Sequence, residues 1–331
     1  MLSRTPSPDP AGPFPDRILL TGGAGFIGSH LAEALLGRGC ELLILDDLND
    51  YYDPALKRAN LASVGRAGPF EFVHGDICDG PLVASLMDRF RPDAVVHLAA
   101  RAGVRPSLEQ PVLYQRVNVE GTAVLLEAAR RHGVQRFVFA SSSSVYGAAS
   151  RVPFTEDDPV RFPISPYAAS KIAGEALCHV YAHLYGMRVV CLRFFTVYGP
   201  RQRPDLAIRR FAEAIAAGRP IPVYGDGSTG RDYTYIDDIV AGILAAMQYE
   251  APFDVFNLGN SSPVLLRDMI ATLERVLGRQ AVMDRQPLQP GDVPITYADI
   301  RKARERLGWA PQTPLEEGIR RMAAWLGLIR A

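Results

Sequence analysis

Short apolar runs alternate with amphipathic stretches over the first 195 residues of the chain. Ile18–Leu20 and Leu42–Leu45 are apolar runs of strand length. Between them, residues 26–35 repeat apolar side chains at helical spacing, and Gly37 and Gly39 end the pattern. The alternation continues with strand-like runs in 70–77, 94–100, 136–147 and 188–199, and with helical stretches in 80–90, 118–133 and 167–186. Strands that alternate with helices predict a parallel sheet covered by helices on both faces.

The pattern changes after about residue 195. Residues 199–238 are rich in loop-forming residues and arginine, and amphipathic helices are predicted in 266–278 and 314–328. We therefore expect an α/β fold: a doubly wound parallel sheet in residues 16–195, followed by a smaller mixed α/β domain in residues 196–331. A segment within 238–259 is expected to return to the sheet.

The first fifteen residues contain five prolines and no apolar run. Proline at this density interrupts helices and sheets, so residues 1–15 are predicted to form a disordered leader that is neither a signal peptide nor a membrane anchor. No later run approaches the roughly 18 apolar residues of a spanning helix. The sequence thus indicates a protein without a membrane segment.

The charged residues balance, with 36 Lys plus Arg against 36 Asp plus Glu. This balance gives no basic field that would favour nucleic acid or an acidic membrane as a partner. The four cysteines are widely spaced and form no CxxC pair. They are typical of buried thiols in a reducing compartment, and they predict no disulfide frame, no metal site and a cytoplasmic location.

Three glycines, Gly22, Gly25 and Gly28, have GxxGxxG spacing between the first predicted strand and the first helix. Glycines here allow a tight turn and a close approach of the backbone, and the helix N-terminus offers free N–H groups to a diphosphate. Asp46 ends the next strand, where a carboxylate accepts both ribose hydroxyls of an adenosine and repels a 2′-phosphate. The motif predicts a Rossmann-type domain that binds NAD rather than NADP. The alternative is that Asp46 only caps its strand.

Asp76 follows the third strand, where the adenine of such a cofactor would lie, although it also suits a turn beside Gly75. The remaining predicted cofactor contacts flank these motifs: Phe26, Ile27, Ile77, Leu98, Ala99 and Ala100.

Tyr167 precedes Lys171 by four residues in a predicted helix, so both side chains project from one face. A free tyrosine has a pKa of about 10, and lowering it to near 7 takes about 4 kcal/mol. A lysine ammonium and a positive nicotinamide ring can together supply this. Tyr167 is thus predicted to be a general base supported by Lys171, with Ser142, in the serine run after the fifth strand, holding the reacting hydroxyl.

Together these motifs resemble the extended short-chain dehydrogenase/reductase superfamily, in particular its nucleotide-sugar epimerases and dehydratases. The stretches that carry the resemblance are TGGAGFIG (21–28), HLAA (97–100), SSSSVYG (141–147), YAASK (167–171) and RDYTYIDD (231–238). The chain is most similar to UDP-glucuronate 4-epimerases, through DLNDYYDPALKRANL, AGVRPSLEQP, LRFFTVYGP and QPGDVP. The stretch from Val223 to Asp238 has the general form found in nucleotide-sugar enzymes.

The resemblance implies transient oxidation of the sugar at C4 by NAD, rotation of the 4-keto sugar and reduction from its other face. It implies that Arg231 contacts the UDP diphosphate, that Tyr224 lies against the uracil and that Asp292 lies by the nucleotide ribose. The alternative for Arg231 is a salt bridge to Asp232 or Asp237. Asn118 is expected to line the sugar pocket.

Many relatives have asparagine at the position of Thr196. The glucuronate enzymes have threonine there, as this chain does. For a glucuronate the 4-keto form is a β-keto acid that tends to lose CO2. Ser143, Ser144 and Arg203 are our candidates for holding its carboxylate flat, since an arginine fork binds a carboxylate bidentately.

Other functions remain open at this point. A UDP-glucose/UDP-galactose 4-epimerase would use the same machinery. Decarboxylases and dehydratases of this group are less favoured, because they carry acids at the positions of Ser143 and Ser144. A non-catalytic NAD-binding protein would have no need of Ser142, Tyr167 and Lys171 together.

The helices that begin near Gly121 and Tyr167 carry apolar residues on more than one face. In this superfamily two such helices often pair with their copies, which implies a homodimer built on a four-helix bundle.

Overall fold

The computed structural model describes residues 14–148, 151–287 and 294–330 of the chain. Strands and helices alternate through the first part of the chain, as the sequence predicts. In order they are β1 (Arg17–Thr21), α1 (Phe26–Gly37), β2 (Glu41–Asp46), α2 (Pro54–Ala67), β3 (Glu71–His74), α3 (Gly80–Phe90), β4 (Ala94–His97), α4 (Val104–Glu109), α5 (Pro111–Gln115), α6 (Gly121–Arg131), β5 (Arg136–Ser142), α7 (Pro166–Tyr185) and β6 (Arg188–Phe194). A π-helical turn, Arg116–Glu120, joins α5 to α6, and a 3-10 turn, Ser143–Tyr146, follows β5.

The second part mixes shorter strands with helices. These are β7 (Thr196–Tyr198), α8 (Ala207–Ala216), β8 (Ile221–Tyr224), β9 (Gly230–Tyr235), α9 (Ile236–Gln248), β10 (Phe253–Leu258), β11 (Pro263–Leu265), α10 (Leu266–Leu277), β12 (Met283–Gln286), β13 (Ile295–Thr296), α11 (Arg301–Leu307) and α12 (Leu315–Trp325). Apart from β10, the strands of this part form a small sheet around β9 and a two-stranded pair, β8 with β12.

Seven strands form one sheet in the order β10-β6-β5-β4-β1-β2-β3, and every neighbouring pair is parallel. The predicted fold class, a Rossmann-type parallel sheet between helices, is confirmed. The strand order reverses between β1 and β4, and ligands of such sheets bind at the carboxyl ends of the strands there.

Alternate residues of the central strands pack on opposite faces of the sheet. Leu20 and Ile44 lie in one apolar core, whereas Leu19 and Leu43 lie in a second. The first core includes residues of α1, α2 and α9, and the second includes residues of α3, α6 and α7. A strand buried on both faces has to be apolar throughout, which explains the unbroken runs in the sequence.

The chain returns to the large sheet through α9 and β10. Strand β10 pairs with β6 from Phe253 opposite Val189 to Leu258 opposite Phe194. The returning segment therefore completes the sheet next to the strand that leads out of the first domain.

Residues 1–13 of the predicted leader lie outside the described residues. Its last two residues are packed against the first domain. The Arg38 guanidinium lies 5.1 Å from the centroid of the Phe14 ring, and the Pro15 carbonyl accepts a hydrogen bond from the Cys40 thiol. Within the described parts of the chain, no helix combines the length and the apolar character needed to cross a membrane.

Candidate active site

A cleft with a cavity volume of about 490 Å³ opens at the carboxyl ends of the central strands. The structure brings the predicted cofactor residues together in its lining: Gly22, Gly25, Phe26, Ile27, Gly28, Asp46, Asp76, Ile77, Leu98, Ala99, Ala100, Tyr167 and Lys171. Five of the predicted substrate residues line the same cleft: Ser142, Ser143, Ser144, Thr196 and Arg203. Residues as far apart in the sequence as Gly22 and Arg203 thus meet at one edge of the sheet.

The glycine turn fits so closely against its neighbours that side chains are excluded. Gly22 has a φ of +74°, and a Cβ there would lie 2.7 Å from the backbone nitrogen of Ala99. A Cβ on Gly28 would lie 2.1 Å from the Gly22 carbonyl oxygen. The turn therefore brings bare backbone and the first turn of α1 to the floor of the cleft, as a diphosphate site requires.

Asp46 ties the end of β2 to the glycine turn. Its carboxylate accepts hydrogen bonds from the backbone N–H of Ala24 at 3.1 Å and of Leu48 at 2.9 Å. The residue is only 7% exposed, and burial raises the pKa of its carboxyl despite these bonds. Asp46 caps its strand, as the alternative interpretation supposed, but it also lines the cavity.

Asp76 likewise has a local role and a place in the cleft. One carboxylate oxygen accepts the Cys78 N–H at 2.9 Å, and the other lies 3.3 Å from the Arg116 guanidinium. The turn interpretation therefore holds for its backbone contact, and its position in the lining agrees with a cofactor contact.

Helix α7 begins at the cleft and presents Tyr167 and Lys171 to it. Ser165 caps the helix by accepting the Ala168 N–H at 3.1 Å, and Pro166 occupies the first helical position. Lys171 is 4% exposed, and its ammonium donates to the Ala140 carbonyl at 2.7 Å. The same ammonium lies 5.9 Å from the centroid of the Tyr167 ring. Burial lowers the pKa of Lys171 to about 8, so it remains largely charged at pH 7.

Without the positive nicotinamide ring, the protein's own groups do not lower the pKa of Tyr167. Burial raises the pKa of Tyr167 above its ordinary value, because removal from water disfavours the phenolate. A hydrogen bond with Ser142 and the positive charge of Arg203 oppose this without overcoming it. Further positive charge beside the phenol is needed before it can act as a base near pH 7.

The serine run forms a compact turn at the end of β5. Ser142 Oγ donates to Ser144 Oγ at 3.1 Å and accepts the Ser144 N–H at 3.2 Å. Ser142 is 8% exposed, and it opposes the rise in the Tyr167 pKa, which agrees with the predicted role. Ser143 and Ser144 line the same cleft.

Arg203 enters the cleft from the segment between β7 and α8. Its guanidinium is held bidentately by Asp205, with contacts of 3.0 and 2.8 Å, and lies 5.2 Å from the centroid of the Tyr51 ring. Its side chain is 17% exposed. A planar cation fixed in this way suits recognition of a carboxylate.

The expectation that Asn118 lines the sugar pocket needs correction. Asn118 lies in the π-helical turn, is 2% exposed and is absent from the cleft lining. Its amide accepts the Arg101 N–H at 2.8 Å and donates to the Arg101 carbonyl and to Ser170 Oγ, both at 2.9 Å. Its polar atoms are thus used to hold the backbone of Arg101, which does line the cleft.

Three predicted nucleotide residues are not among the described residues that line the cavity. Asp292 lies outside the described residues. Tyr224 ends β8, with the Arg105 guanidinium 5.7 Å from its ring centroid. Arg231 lies on β9. The nucleotide-binding roles of all three residues stay predictions.

Asp232 and Asp237, the two acids considered as alternative partners of Arg231, have other contacts. The Asp232 carboxylate accepts three backbone N–H groups, those of Asn260, Ser261 and Ala298. Asp237 lies 3.7 Å from Arg321.

Comparison with known proteins agrees with this geometry. The family model described as GDP-mannose 4,6 dehydratase matches residues 19–322. A UDP-glucuronate 4-epimerase of Thermodesulfobacterium geofontis is 42% identical over 93% of this chain and 95% of its own length. The chain belongs to the GDP-mannose 4,6-dehydratase family.

Solved structures of nucleotide-sugar enzymes share the fold. UDP-glucuronic acid 4-epimerase from Bacillus cereus, in complex with UDP-glucuronic acid and NAD, superposes with a TM-score of 0.86 at 36% identity, covering 94% of this chain and 99% of that one. UDP-glucose 4-epimerase from Thermotoga maritima, with UDP-glucose, gives 0.87 at 33% identity, covering 94% and 98%. The resemblance to nucleotide-sugar epimerases is confirmed.

One wall of the cleft was not predicted from the sequence. Asn49, Tyr51, Tyr52 and Lys57 line it from the segment that leads into α2. Lys57 is 5% exposed and donates to the Asn49 carbonyl at 2.8 Å. Asp53 followed by Pro54 is a helix-start signal that would have located α2, although nothing in the sequence shows which way the two tyrosines face.

In the absence of any dinucleotide, Tyr167 should ionise only above pH 10, because burial raises its pKa. The difference in phenolate absorbance between the wild type and Tyr167→Phe, followed through an alkaline titration, measures this directly. A phenolate signal below pH 10 that is lost in the variant would contradict the assignment. Tyr249→Phe, far from the cleft, is the matched control for the loss of one phenol.

Proposed function

We propose that this protein is an NAD-dependent UDP-glucuronate 4-epimerase. The observation that carries the proposal is the convergence of Tyr167, Lys171 and Ser142 at the junction of a dinucleotide cradle and a wall with a carboxylate-binding arginine. The names of the relatives support the same chemistry: the Thermodesulfobacterium protein is a UDP-glucuronate 4-epimerase, and the Bacillus structure contains UDP-glucuronic acid and NAD.

The cofactor end of the cleft fits NAD. Bare backbone at Gly22 and Gly28 leaves room that a Cβ would fill, and Asp46 offers a carboxylate beside that turn. A carboxylate there favours ribose hydroxyls over a 2′-phosphate. When bound, NAD supplies the hydride acceptor and donor for the sugar C4, along with a positive ring near Tyr167.

Tyr167 moves the proton in the reaction. Its phenolate takes the proton of the C4 hydroxyl as C4 becomes a ketone, while Ser142 holds that oxygen against the phenol. Lys171 keeps a positive charge behind the phenolate, because its ammonium is anchored on the Ala140 carbonyl. After the 4-keto sugar turns over, Tyr167 returns the proton to the C4 oxygen and the configuration at C4 is inverted.

Ser143, Ser144 and Arg203 protect the intermediate. The 4-keto form of a glucuronate loses CO2 when its carboxylate bond aligns with the carbonyl π-system. A bidentate bond from Arg203, with hydroxyls from the serine turn, holds the carboxylate out of that alignment. The anchored nucleotide and loosely held sugar allow the two poses that the reaction needs.

The carboxylates that line the described part of the cleft, Asp46, Asp47 and Asp76, all belong to its cofactor end. Ser143 and Ser144 stand where dehydratases and decarboxylases place acids, which disfavours both reactions. UDP-glucose 4-epimerisation is the second candidate, because the Thermotoga UDP-glucose 4-epimerase has the same fold with a TM-score of 0.87.

Helix α7 supports the proposed homodimer. Val180, Leu184 and Tyr185 on its second half are 43%, 61% and 47% exposed. Val180 and Leu184 lie one turn apart and share a face. The helices α4 and α5, which contact α7, also carry exposed apolar side chains, Leu108 and Val112, which are 61% and 80% exposed. Exposed apolar side chains of this kind on α4, α5 and α7 are suited to pairing with a second copy. All four cysteines are free thiols, which favours the cytoplasm.

Incubation with UDP-glucuronate, UDP-glucose and UDP-xylose in separate reactions with NAD, followed by NMR of the products, tests the proposed function. We expect UDP-galacturonate from UDP-glucuronate, without UDP-pentose. Tyr167→Phe should lower kcat by about 10² to 10⁴. Formation of a UDP-pentose from UDP-glucuronate would indicate a decarboxylase. Conversion of UDP-glucose but not of UDP-glucuronate would indicate the second candidate.

Arg203→Ala should raise the KM for UDP-glucuronate on the order of 10- to 100-fold, since a hydrogen bond to a charged group contributes about 1.5–3 kcal/mol. The KM for UDP-glucose should change far less. Steady-state kinetics with both sugars give the comparison, and Arg210→Ala, an exposed arginine nearby, is the control. Equal effects on both sugars would refute the role of Arg203.

Leu184→Glu should convert a dimer into a folded monomer, because it places a charge in the proposed apolar interface. Light scattering at micromolar concentration measures the mass. Val282→Glu, at a residue that is 52% exposed beside β12, is the control and should leave the dimer intact. A wild-type protein that is already monomeric would contradict the assembly.

A further inference from the structure

A buried ion pair lies behind the serine turn without contacting the cleft. Glu175 on α7 is 7% exposed and Arg193 on β6 is 3% exposed. The guanidinium donates two parallel hydrogen bonds to the carboxylate, Nε to Oε1 at 2.9 Å and Nη2 to Oε2 at 2.8 Å. Neither side chain belongs to the cavity lining, so neither would touch a bound substrate.

Glu175 attaches α7 to the end of β5 together with Lys171. Glu175 follows Lys171 by four residues and so lies on the same face of the helix, one turn further on. Lys171 donates to the carbonyl of Ala140, and Ser141 Oγ donates to Glu175 Oε1 at 2.5 Å. The helix is thus hydrogen-bonded to two consecutive residues of the strand, immediately before Ser142.

Arg193 holds the other end of the serine turn. Its strand neighbour across the sheet is Ser141, whose hydroxyl shares the Glu175 carboxylate with it. Its Nη1 donates to the Tyr146 hydroxyl at 2.9 Å, and that hydroxyl donates to Asn257 Oδ1 at 2.6 Å. Tyr146 is the last residue of the 3-10 turn that contains Ser143 and Ser144. The pair therefore fixes the chain at 141 and at 146, on both sides of the hydroxyls in the cleft.

We propose that Glu175 and Arg193 are positioning residues of the epimerase reaction, which set the Ser142–Ser144 hydroxyls against Tyr167 and Lys171. The inference rests on the proposed function. A buried ion pair often contributes little net stability, because desolvation of both charges offsets their attraction, and an apolar pair of similar volume replaces it at little cost. The bidentate geometry, by contrast, defines an angle and a distance that an apolar pair does not.

The double substitution Glu175→Leu with Arg193→Met tests the positioning role. It removes both charges together, so no unpaired charge is left in the core. With UDP-glucuronate and saturating NAD, we expect kcat to fall by about 10²-fold, the effect of a misplacement on the order of 1 Å. KM should change by less than about threefold, because the groups that bind the substrate remain. The thermal midpoint should stay close to that of the wild type.

Ser141→Ala is a second variant that keeps the ion pair and removes only its link to β5. It should lower kcat by about tenfold with KM unchanged. This variant decides the question if the double variant does not fold. The matched control is Glu250→Leu with Arg136→Met, since Arg136 forms an ion pair with Glu250 at the opposite end of the same strand. The control should keep the wild-type kcat.

The outcomes separate the two proposals. A wild-type enzyme that converts no UDP-sugar overturns the proposed function, and this inference with it. An active wild type whose folded double variant and Ser141→Ala variant both retain full kcat overturns the positioning role alone. A fall in kcat in the control variant as well would show a general loss of stability in place of positioning, and would also overturn it.

Discussion

The parallel register of the seven-stranded sheet is the constraint on which the site depends. Since all its strands run the same way, each one ends at the same edge, and the segments after β1 to β6 reach one cleft. The glycine turn follows β1, Asp46 ends β2, Leu98–Ala100 follow β4, and Ser142 ends β5. The sheet itself performs no chemistry, but it brings together groups that lie far apart in the sequence.

At this edge, burial and charge act against each other. The interior that excludes water raises the pKa of Tyr167 and lowers that of Lys171, so it works against both charged forms that the reaction needs. The Ala140 carbonyl offsets part of the cost for Lys171 by accepting its hydrogen bond. Arg203 and Ser142 do so for Tyr167. In the proposed reaction, the phenol would stay protonated until the cationic ring of the cofactor binds beside it, and proton transfer would then be coupled to occupancy by the cofactor. A base that is silent in the empty enzyme cannot deprotonate a sugar that the enzyme has no means to oxidise.

The sequence predicted best where function depends on short-range spacing. The glycine turn between β1 and α1 and the Tyr167–Lys171 pair follow from the geometry of a turn and of one helical repeat, and the structure places them as expected. Asn118 failed because its direction is set by a π-helical turn that turns its amide toward the Arg101 backbone, and no local pattern specifies that turn. Tyr51 was missed for a similar reason: its position depends on the Arg203 guanidinium, more than 150 residues later in the chain. Contacts of this kind arise from tertiary packing, which one sequence does not display.

In the proposed function, the Arg203 guanidinium connects substrate choice with proton transfer. Asp205 and the Tyr51 ring hold it in place before any sugar arrives, so little side-chain freedom is lost when a carboxylate binds. The carboxylate must compete with Asp205 for the cation, and because Asp205 is more exposed than Arg203, water can take over its vacated hydrogen bonds. A neutral hexose has no carboxylate that could replace Asp205 on the guanidinium. It therefore leaves the arginine paired with Asp205 and gains no binding energy from it. The same positive charge lowers the pKa of Tyr167. A glucuronate carboxylate that partly neutralises Arg203 therefore weakens this support, and the base then depends more strongly on Lys171 and on the charge of the cofactor. Binding of an acidic sugar in this site thus reduces the lowering of the Tyr167 pKa by Arg203. The buried ammonium of Lys171 is placed to offset that loss.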